Sequence, residues 1–277
     1  MSGGVLNATD WSTAENWSSG AIPVSTDDTV VPNTLAANVT MSGDESAVAL
    51  DLLHVHRGFT NTFGTSASPL QFSSEFTKVF GSSGFYMEGT DVTSEEIRLQ
   101  MPANNTPVEL GNADAGDFTR IICNRGLVTL KANILFSAAG MVEVGWMTDR
   151  NGDVRVVLAA GADTLPNLRM NGGRMTSDAI ITLAHLCAGT LTQDTAAITT
   201  VYVYDGARLE LNGSGTVATT VVVYGGGTLD LLQTALQKTV TTLYLFPGAK
   251  VIWDTNDVGA TPGLHTISNL FDLRNAE

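Results

Sequence analysis

Three segments in the last third of the chain are versions of one unit made of a strand, a turn and a second strand. They read TTVYVYDGARLEL (199–211), TTVVVYGGGTLDL (219–231) and TTLYLFPGAKVIW (241–253). A repeat of this kind is typical of a solenoid, because one unit cannot bury its apolar side alone and must stack on its neighbours.

The turn of this unit can be followed through five coils, and its spacing gives the length of each coil. It falls at Gly173, Gly189, Ala207, Gly227 and Ala249, so successive coils are 16, 18, 20 and 22 residues long. None of these coils is long enough to contain an added pair of helices. The sequence therefore predicts an all-β fold, a single-stranded parallel β-helix, also called a β-solenoid.

Within each unit the residues alternate with the two-residue period of a β-strand, which separates an aliphatic side from a second side. Stacking the coils brings like residues above one another, so the aliphatic side is predicted to form the core. The aligned positions are Val201, Val203, Leu209 and Leu211, then Val221, Val223, Leu229 and Leu231, then Leu243, Leu245, Val251 and Trp253.

The second side of the same strands carries a strip of apolar, mostly aromatic residues. Protein interfaces are enriched in Tyr and Phe, and monomers seldom leave such a strip uncovered, so we interpret it as a subunit or partner interface. Two alternatives stay open: the aromatic side points inward, or the N-terminal segment covers it. The strip consists of Tyr202, Tyr204, Val222, Tyr224, Tyr244 and Phe246.

Residues 1–47 differ from the repeat and are predicted to form a capping segment. They contain Trp11 and Trp17, then a turn at Gly20 and Pro23, then an acidic pair that enters a strand. Exposing both tryptophans to water would be costly, and the first coil of a solenoid needs a cover for its apolar end. We therefore expect Trp11 and Trp17 to close that end.

The solenoid itself is predicted over 48–253, with irregular excursions at 60–116 where Ser, Gly and Asn clusters interrupt short strand candidates. Asn151 and Gly152 predict a tight hairpin turn. The tail, 254–277, departs from the repeat, and its apolar residues fit one face of a short helix. Those residues are Leu264, Ile267, Leu270, Phe271 and Leu273.

The charge balance excludes some classes of partner. The chain has 28 acidic and 14 basic residues, a net charge of −14, so its surface repels phosphate backbones and we expect no nucleic-acid partner. No apolar run approaches the length of a membrane span, and we expect no membrane partner. The first residues lack the basic and apolar regions of a secretory signal, which predicts folding in a cytoplasm.

The side chains that carry chemistry are scattered. Cys123 and Cys187 lie in apolar strands and are predicted to be buried free thiols. His54 and His56 share one face of a strand, but no third metal ligand is nearby, so we interpret them as solvated histidines. The run DRNGD (149–153) lacks the distal Glu of a calcium loop and fits a turn.

Glycoside cleavage needs two carboxyl groups facing one groove. Glu210 and Asp230 occupy equivalent outward positions one coil apart and are the candidates for such a pair. Because Arg208 and Lys250 lie close by in sequence and in the next coil, solvated surface charges are the favoured interpretation. The sequence predicts no catalytic residues, no metal site and no cofactor.

The pattern W…NW…G…P…DD…V…V over about 25 residues from Trp11 resembles the opening module found ahead of β-helices in bacterial surface and autotransporter-type adhesins and in some bacteriophage virion proteins. The resemblance implies an architecture, and it carries no catalytic residues to this chain.

Together with the acidic composition, the resemblance implies a non-catalytic structural protein of a phage particle, similar to head decoration or cement proteins. Such a protein is expected to form a homotrimer, to bind the major capsid protein, and to enter the virion during assembly in the host cytoplasm. The alternatives are a surface adhesin or autotransporter-type passenger, and a tailspike-like enzyme that degrades polysaccharide.

Overall fold

A computed structural model describes residues 4–6, 8–41, 48–89, 95–112, 117–145, 154–213, 216–232, 237–253 and 266–274. Apart from a short 3-10 helix at Ala14–Asn16, the regular structure in these ranges is β, and it forms a parallel β-solenoid of about nine turns. The predicted fold class is therefore confirmed.

The chain divides into two compact units, and the boundaries expected at residues 47 and 253 fall inside them. The first unit comprises Met1–Gly140 and Asp153–Arg155, and the second comprises Met141–Gly152 and Val156–Glu277.

The first unit is built from short parallel strands. Two ladders run through it: β1, β2, β5, β7 and β9 pair in that order, and β3 and β4 pair with β6, which pairs with β8 and then β9. The strands are β1 (Asp28–Val31), β2 (Ala49–Val55), β3 (Thr62–Phe63), β4 (Leu70–Gln71), β5 (Ser73–Val79), β6 (Gly84–Gly89), β7 (Glu95–Gln100), β8 (Pro107–Asn112) and β9 (Phe118–Leu130).

The region predicted to be irregular, 60–116, contains strands that join these ladders in register. Its core side chains are mostly aromatic, for example Phe63, Phe72 and Phe85, each no more than 1% exposed. Short strands between glycine and serine clusters give only a weak alternation signal, whereas pairing with the next coil fixes each strand in place.

Both tryptophans of the N-terminal segment are core residues of the first unit. Trp11 is 0% exposed and stacks on Phe72 with ring centroids 4.9 Å apart. Trp17 is 2% exposed, packs edge-on against Trp11 at 4.7 Å, and donates a hydrogen bond from Nε1 to the Trp11 carbonyl oxygen at 2.8 Å. That the two rings close the end of the stack stays a prediction.

The later strands form two ladders within the second unit. One ladder pairs β12, β13, β14, β16, β18 and β20, and Met141–Val144 of β10 pairs with β12; the other continues from β12 and β13 through β15, β17 and β19. The strands are β10 (Phe136–Val144), β11 (Val154–Leu158), β12 (Leu165–Ser177), β13 (Ile181–Gln193), β14 (Ile198–Val203), β15 (Ala207–Leu211), β16 (Thr216–Val223), β17 (Thr228–Asp230), β18 (Lys238–Leu245), β19 (Lys250–Ile252) and β20 (Thr266–Asp272).

The register within the second unit is the one that the repeat predicts. Thr190 pairs with Arg174, and Arg208, Thr228 and Lys250 follow in the next coils, which reproduces the predicted spacings. The aligned aliphatic residues of the first two repeat units are 0% exposed. In the last unit, Val251 and Trp253 are half-buried.

Glycines bend the chain where one ladder gives way to the next. Gly173 and Gly189 have φ of 73° and 83° inside the long strands β12 and β13. A Cβ on Gly189 would lie 2.4 Å from the carbonyl oxygen of Gly173, so the position needs glycine both for its backbone conformation and for the close approach. In the later coils the bend lies one residue before the predicted turn position, for example at Gly206 rather than Ala207.

The helix predicted for the tail is wrong. Thr266–Asp272 is a strand, β20, in which Ile267 pairs with Val240 and Leu270 with Leu243, so the solenoid gains a further coil. The apolar spacing fits a helix or a strand over so short a run, and the edge of β18 decides between them. Leu264 and the hairpin turn predicted at Asn151 and Gly152 lie outside the described residues.

Candidate functional site

The predicted aromatic strip lies on the outward side of β14, β16 and β18, in the first ladder of the second unit. Tyr202 and Tyr204 are half-buried, whereas Val201 and Val203 between them are 0% exposed. The alternation therefore points the aromatic side outward, as predicted. Val222 belongs to the strip but is only 8% exposed, because it lies in register between two tyrosines.

The rings of the strip are stacked along the ladder. Tyr204 and Tyr224 have centroids 4.9 Å apart, and Tyr224 and Phe246 follow at 5.0 Å with planes inclined by 19°. Parallel strands lie about 4.8 Å apart, close to the separation of stacked rings, so aromatic residues in register form a continuous column. Each ring is thereby held in one orientation by its neighbours.

Two residues at the ends of the strip were missed by the sequence analysis. His185 stacks on Tyr202 with centroids 4.9 Å apart, and Phe271 stacks on Tyr244 at 4.7 Å. The coil spacing would have placed His185 in this column, whereas Phe271 was assigned to a helix. We call this surface the aromatic face; it consists of His185, Tyr202, Tyr204, Val222, Tyr224, Tyr244, Phe246 and Phe271.

A hydrogen-bonding group joins the two columns of the aromatic face. The Tyr204 hydroxyl and His185 Nδ1 lie 3.2 Å apart, within hydrogen-bond distance. Burial raises the pKa of Tyr204 above its ordinary value, and the neighbouring Tyr224 adds to the effect. The Tyr204 hydroxyl therefore stays neutral and keeps its proton over the physiological pH range.

A cavity of about 510 Å³ opens beside the aromatic face, between β10, β12 and β13. Met141, Leu168, Leu183 and Cys187 supply its apolar wall, and the polar groups come from Asn167, Arg169, His185 and Tyr204. Because the outward residues of adjacent coils line it, the cavity was not visible in the sequence of any one coil.

The two cysteines differ in their surroundings. Cys123 is a buried free thiol, as predicted, and burial raises its pKa to about 12. Cys187 is also free, but it is half-buried in the wall of the cavity rather than buried. It points outward because it follows the core residue Leu186 at the strand's alternating period.

The carboxylate pair on the second ladder forms a structural ion-pair cluster. Glu210 and Asp230 are in register, as predicted, and both contact Arg208. The Arg208 Nε to Glu210 Oε1 distance is 2.8 Å, and Thr192 Oγ1 donates to the other Glu210 oxygen at 2.9 Å. Asp230 is only 2% exposed, so the interpretation as a solvated charge is wrong for this residue, because the guanidinium covers it.

His54 and His56 share one face of β2, with ring centroids 6.1 Å apart. Burial lowers the pKa of His54, and the positive charges of His56 and Lys78 lower it further. Within the described ranges, no group of three or more His, Cys, Asp or Glu side chains is arranged to hold a metal ion. No helix in the part of the chain that the structure describes is long and apolar enough to cross a membrane.

Comparisons of the chain with models of protein families, with curated proteins and with solved structures find no match. The aromatic face and the cavity beside it are therefore the observations from which a function can be inferred.

Proposed function

We propose that the protein is a non-catalytic structural protein that binds other protein chains through its aromatic face. The observation that supports this is the column of stacked rings, half-buried on the outward side of the ladder and continued to Phe271, which is 46% exposed. Large aromatic side chains dominate binding energy at protein interfaces, so a contiguous column of them is a strong candidate for one.

The rigidity of the aromatic face favours binding. An aromatic side chain has only two rotatable bonds, and stacking on the neighbouring coils already fixes them, so little conformational entropy is lost when a partner docks. The backbone under the rings is a hydrogen-bonded parallel ladder with its core aliphatics fully buried. The surface is thus preorganised before the partner arrives.

The partner proposed is a second copy of the chain, giving a homotrimer, and the trimer is proposed to decorate the head of a bacteriophage by binding the major capsid protein. This part rests on the resemblance of the N-terminal pattern to modules of phage virion proteins, and fold alone does not give function. The mechanism is a rigid module that stabilises neighbouring capsid subunits by buried contact area.

The test is the content of purified virions. Quantitative mass spectrometry of gradient-purified phage particles should find the protein at a fixed ratio to the major capsid protein, and that ratio should survive a second gradient. A charge-carrying variant, Tyr204→Asp with Tyr224→Asp, should be missing from particles even when it is made at the normal level. Absence of the unaltered protein from particles would reject the virion role.

A further inference from the structure

We propose that the cavity beside the aromatic face binds a small aromatic carboxylate. The cavity lies within the second unit and belongs to the single chain. The inference therefore goes beyond the proposed role in a virion and does not depend on it.

The size and lining of the cavity suit an apolar ligand body. Its volume of about 510 Å³ lies within the range of small-molecule sites. Met141, Leu183 and Cys187 point outward on a sheet face and are half-buried, so their apolar surface meets water unless a ligand covers it. Burying that surface against an apolar ring would be favourable.

One wall of the cavity is flat and fixed. The rings of His185 and Tyr204 are nearly parallel, with planes inclined by 9° and centroids 6.1 Å apart. The contact between the Tyr204 hydroxyl and His185 Nδ1 holds them together at 3.2 Å. A planar aromatic ligand can stack on such a wall, which favours it over a branched aliphatic one.

The charge at the rim selects an anion. Arg169 is exposed, lines the cavity, and forms no ion pair with any residue of the described chain, whereas Arg98, Arg208 and Arg274 each contact a carboxylate. In a chain with a net charge of −14, an unpaired guanidinium at an apolar cavity is available to a ligand. Guanidinium groups bind carboxylates with two parallel hydrogen bonds, which makes a carboxylate the fitting anion.

The test uses 2-naphthoate as the probe and neutral 2-naphthamide as its control, with binding measured by isothermal titration calorimetry on the full chain. We expect one saturable site for 2-naphthoate. Because a charge-assisted pair is lost, Arg169→Gln should weaken binding about tenfold or more. The matched variant Arg174→Gln removes an exposed arginine from the second ladder and should bind like the unaltered protein.

A second measurement locates the probe. Bound 2-naphthoate should slow the alkylation of Cys187 by N-ethylmaleimide, and the amide should slow it far less, since Cys187 lines the cavity. The proposal is overturned if the amide binds as tightly as the acid, or if Arg169→Gln and Arg174→Gln bind alike. It is also overturned if Cys187 of the folded, probe-free protein does not react, because the cavity is then covered by something else.

Discussion

Tyr204 and Tyr224 stack with their ring centroids 4.9 Å apart and their planes inclined by only 2°. They are neighbours because β14 pairs in parallel with β16, with Val203 in register with Val223. The spacing of the rings is the spacing of the coils, so the aromatic face is a direct product of the register of the solenoid. A change on this face should therefore alter binding while leaving the interior columns intact.

Placing charges on the aromatic face should abolish self-association. In the variant with Tyr204→Asp and Tyr224→Asp, two carboxylates replace two stacked rings, and burying them in an interface without partners would cost several kcal/mol. We expect monomers by sedimentation velocity at concentrations where the unaltered protein forms trimers.

The matched control carries the same charges on the other ladder. Thr190→Asp with Thr228→Asp alters two outward positions of one column there, and it should leave the oligomeric state unchanged. An unchanged oligomer in the tyrosine variant would remove the aromatic face as the subunit interface.

Two glycines with similar backbone conformations should differ in their tolerance of alanine. Gly206 has φ of 76° and open space around it, so Gly206→Ala should cost only the left-handed backbone penalty, about 1 kcal/mol of unfolding free energy. Gly189 has φ of 83°, and its added Cβ would meet the Gly173 carbonyl oxygen at 2.4 Å. Urea denaturation should therefore show a loss about 2 kcal/mol larger for Gly189→Ala. Equal losses would mean that the coils separate easily at this corner.

The two thiols should react at very different rates. Cys123 is fully buried with a pKa of about 12, so almost none of it is thiolate at pH 8, and it should resist iodoacetamide in the folded protein. Cys187 is half-buried in the cavity wall and should be alkylated first. Peptide mass spectrometry of timed samples measures both rates, and in urea the two should become similar. Modification of Cys123 before Cys187 would contradict the assigned burial.

The ion pair between Glu88 and Lys131 should stabilise the fold in a pH-dependent way. Burial tends to raise the pKa of Glu88, but hydrogen bonds from Lys131 and Gln71 outweigh it, so the pKa lies below its ordinary value. A carboxyl whose pKa is lowered by folding contributes its stability above its unfolded pKa, about 4.3, and loses it as the pH falls through the folded value.

Glu88→Gln should therefore lower the unfolding free energy by about 1 kcal/mol at pH 7, with the deficit shrinking below about pH 4. Urea titrations at several pH values measure this difference. Glu75→Gln, at an exposed position on β5, should change little at either pH. A deficit that grows as the pH falls would mean that Glu88 is stabilised in its protonated form.

The register of the second unit was predictable because both pieces of information that set it are local. The alternation in each unit assigns sides, and the spacing of the turn positions says which residues align. Val201, Val221 and Leu243 are thereby assigned to one buried column by the order of residues alone. The outward direction of Tyr204 and Tyr224 follows from the same alternation.

The features that escaped prediction all depend on contacts between coils. Whether Thr266–Asp272 is a helix or a strand is decided by the free edge of β18, which no property of the tail reveals. Asp230 is buried because Arg208, one coil earlier, folds over it.

The sequence by itself determined the solenoid, its interior columns and the side on which the aromatic residues lie, because alternation and spacing are properties of the chain in order. Only the tertiary structure decided that His185 and Phe271 extend the aromatic face and that Arg169 and Cys187 line one cavity. The physical reason is that these side chains belong to coils of different length, and stacking brings them within a few ångströms of one another.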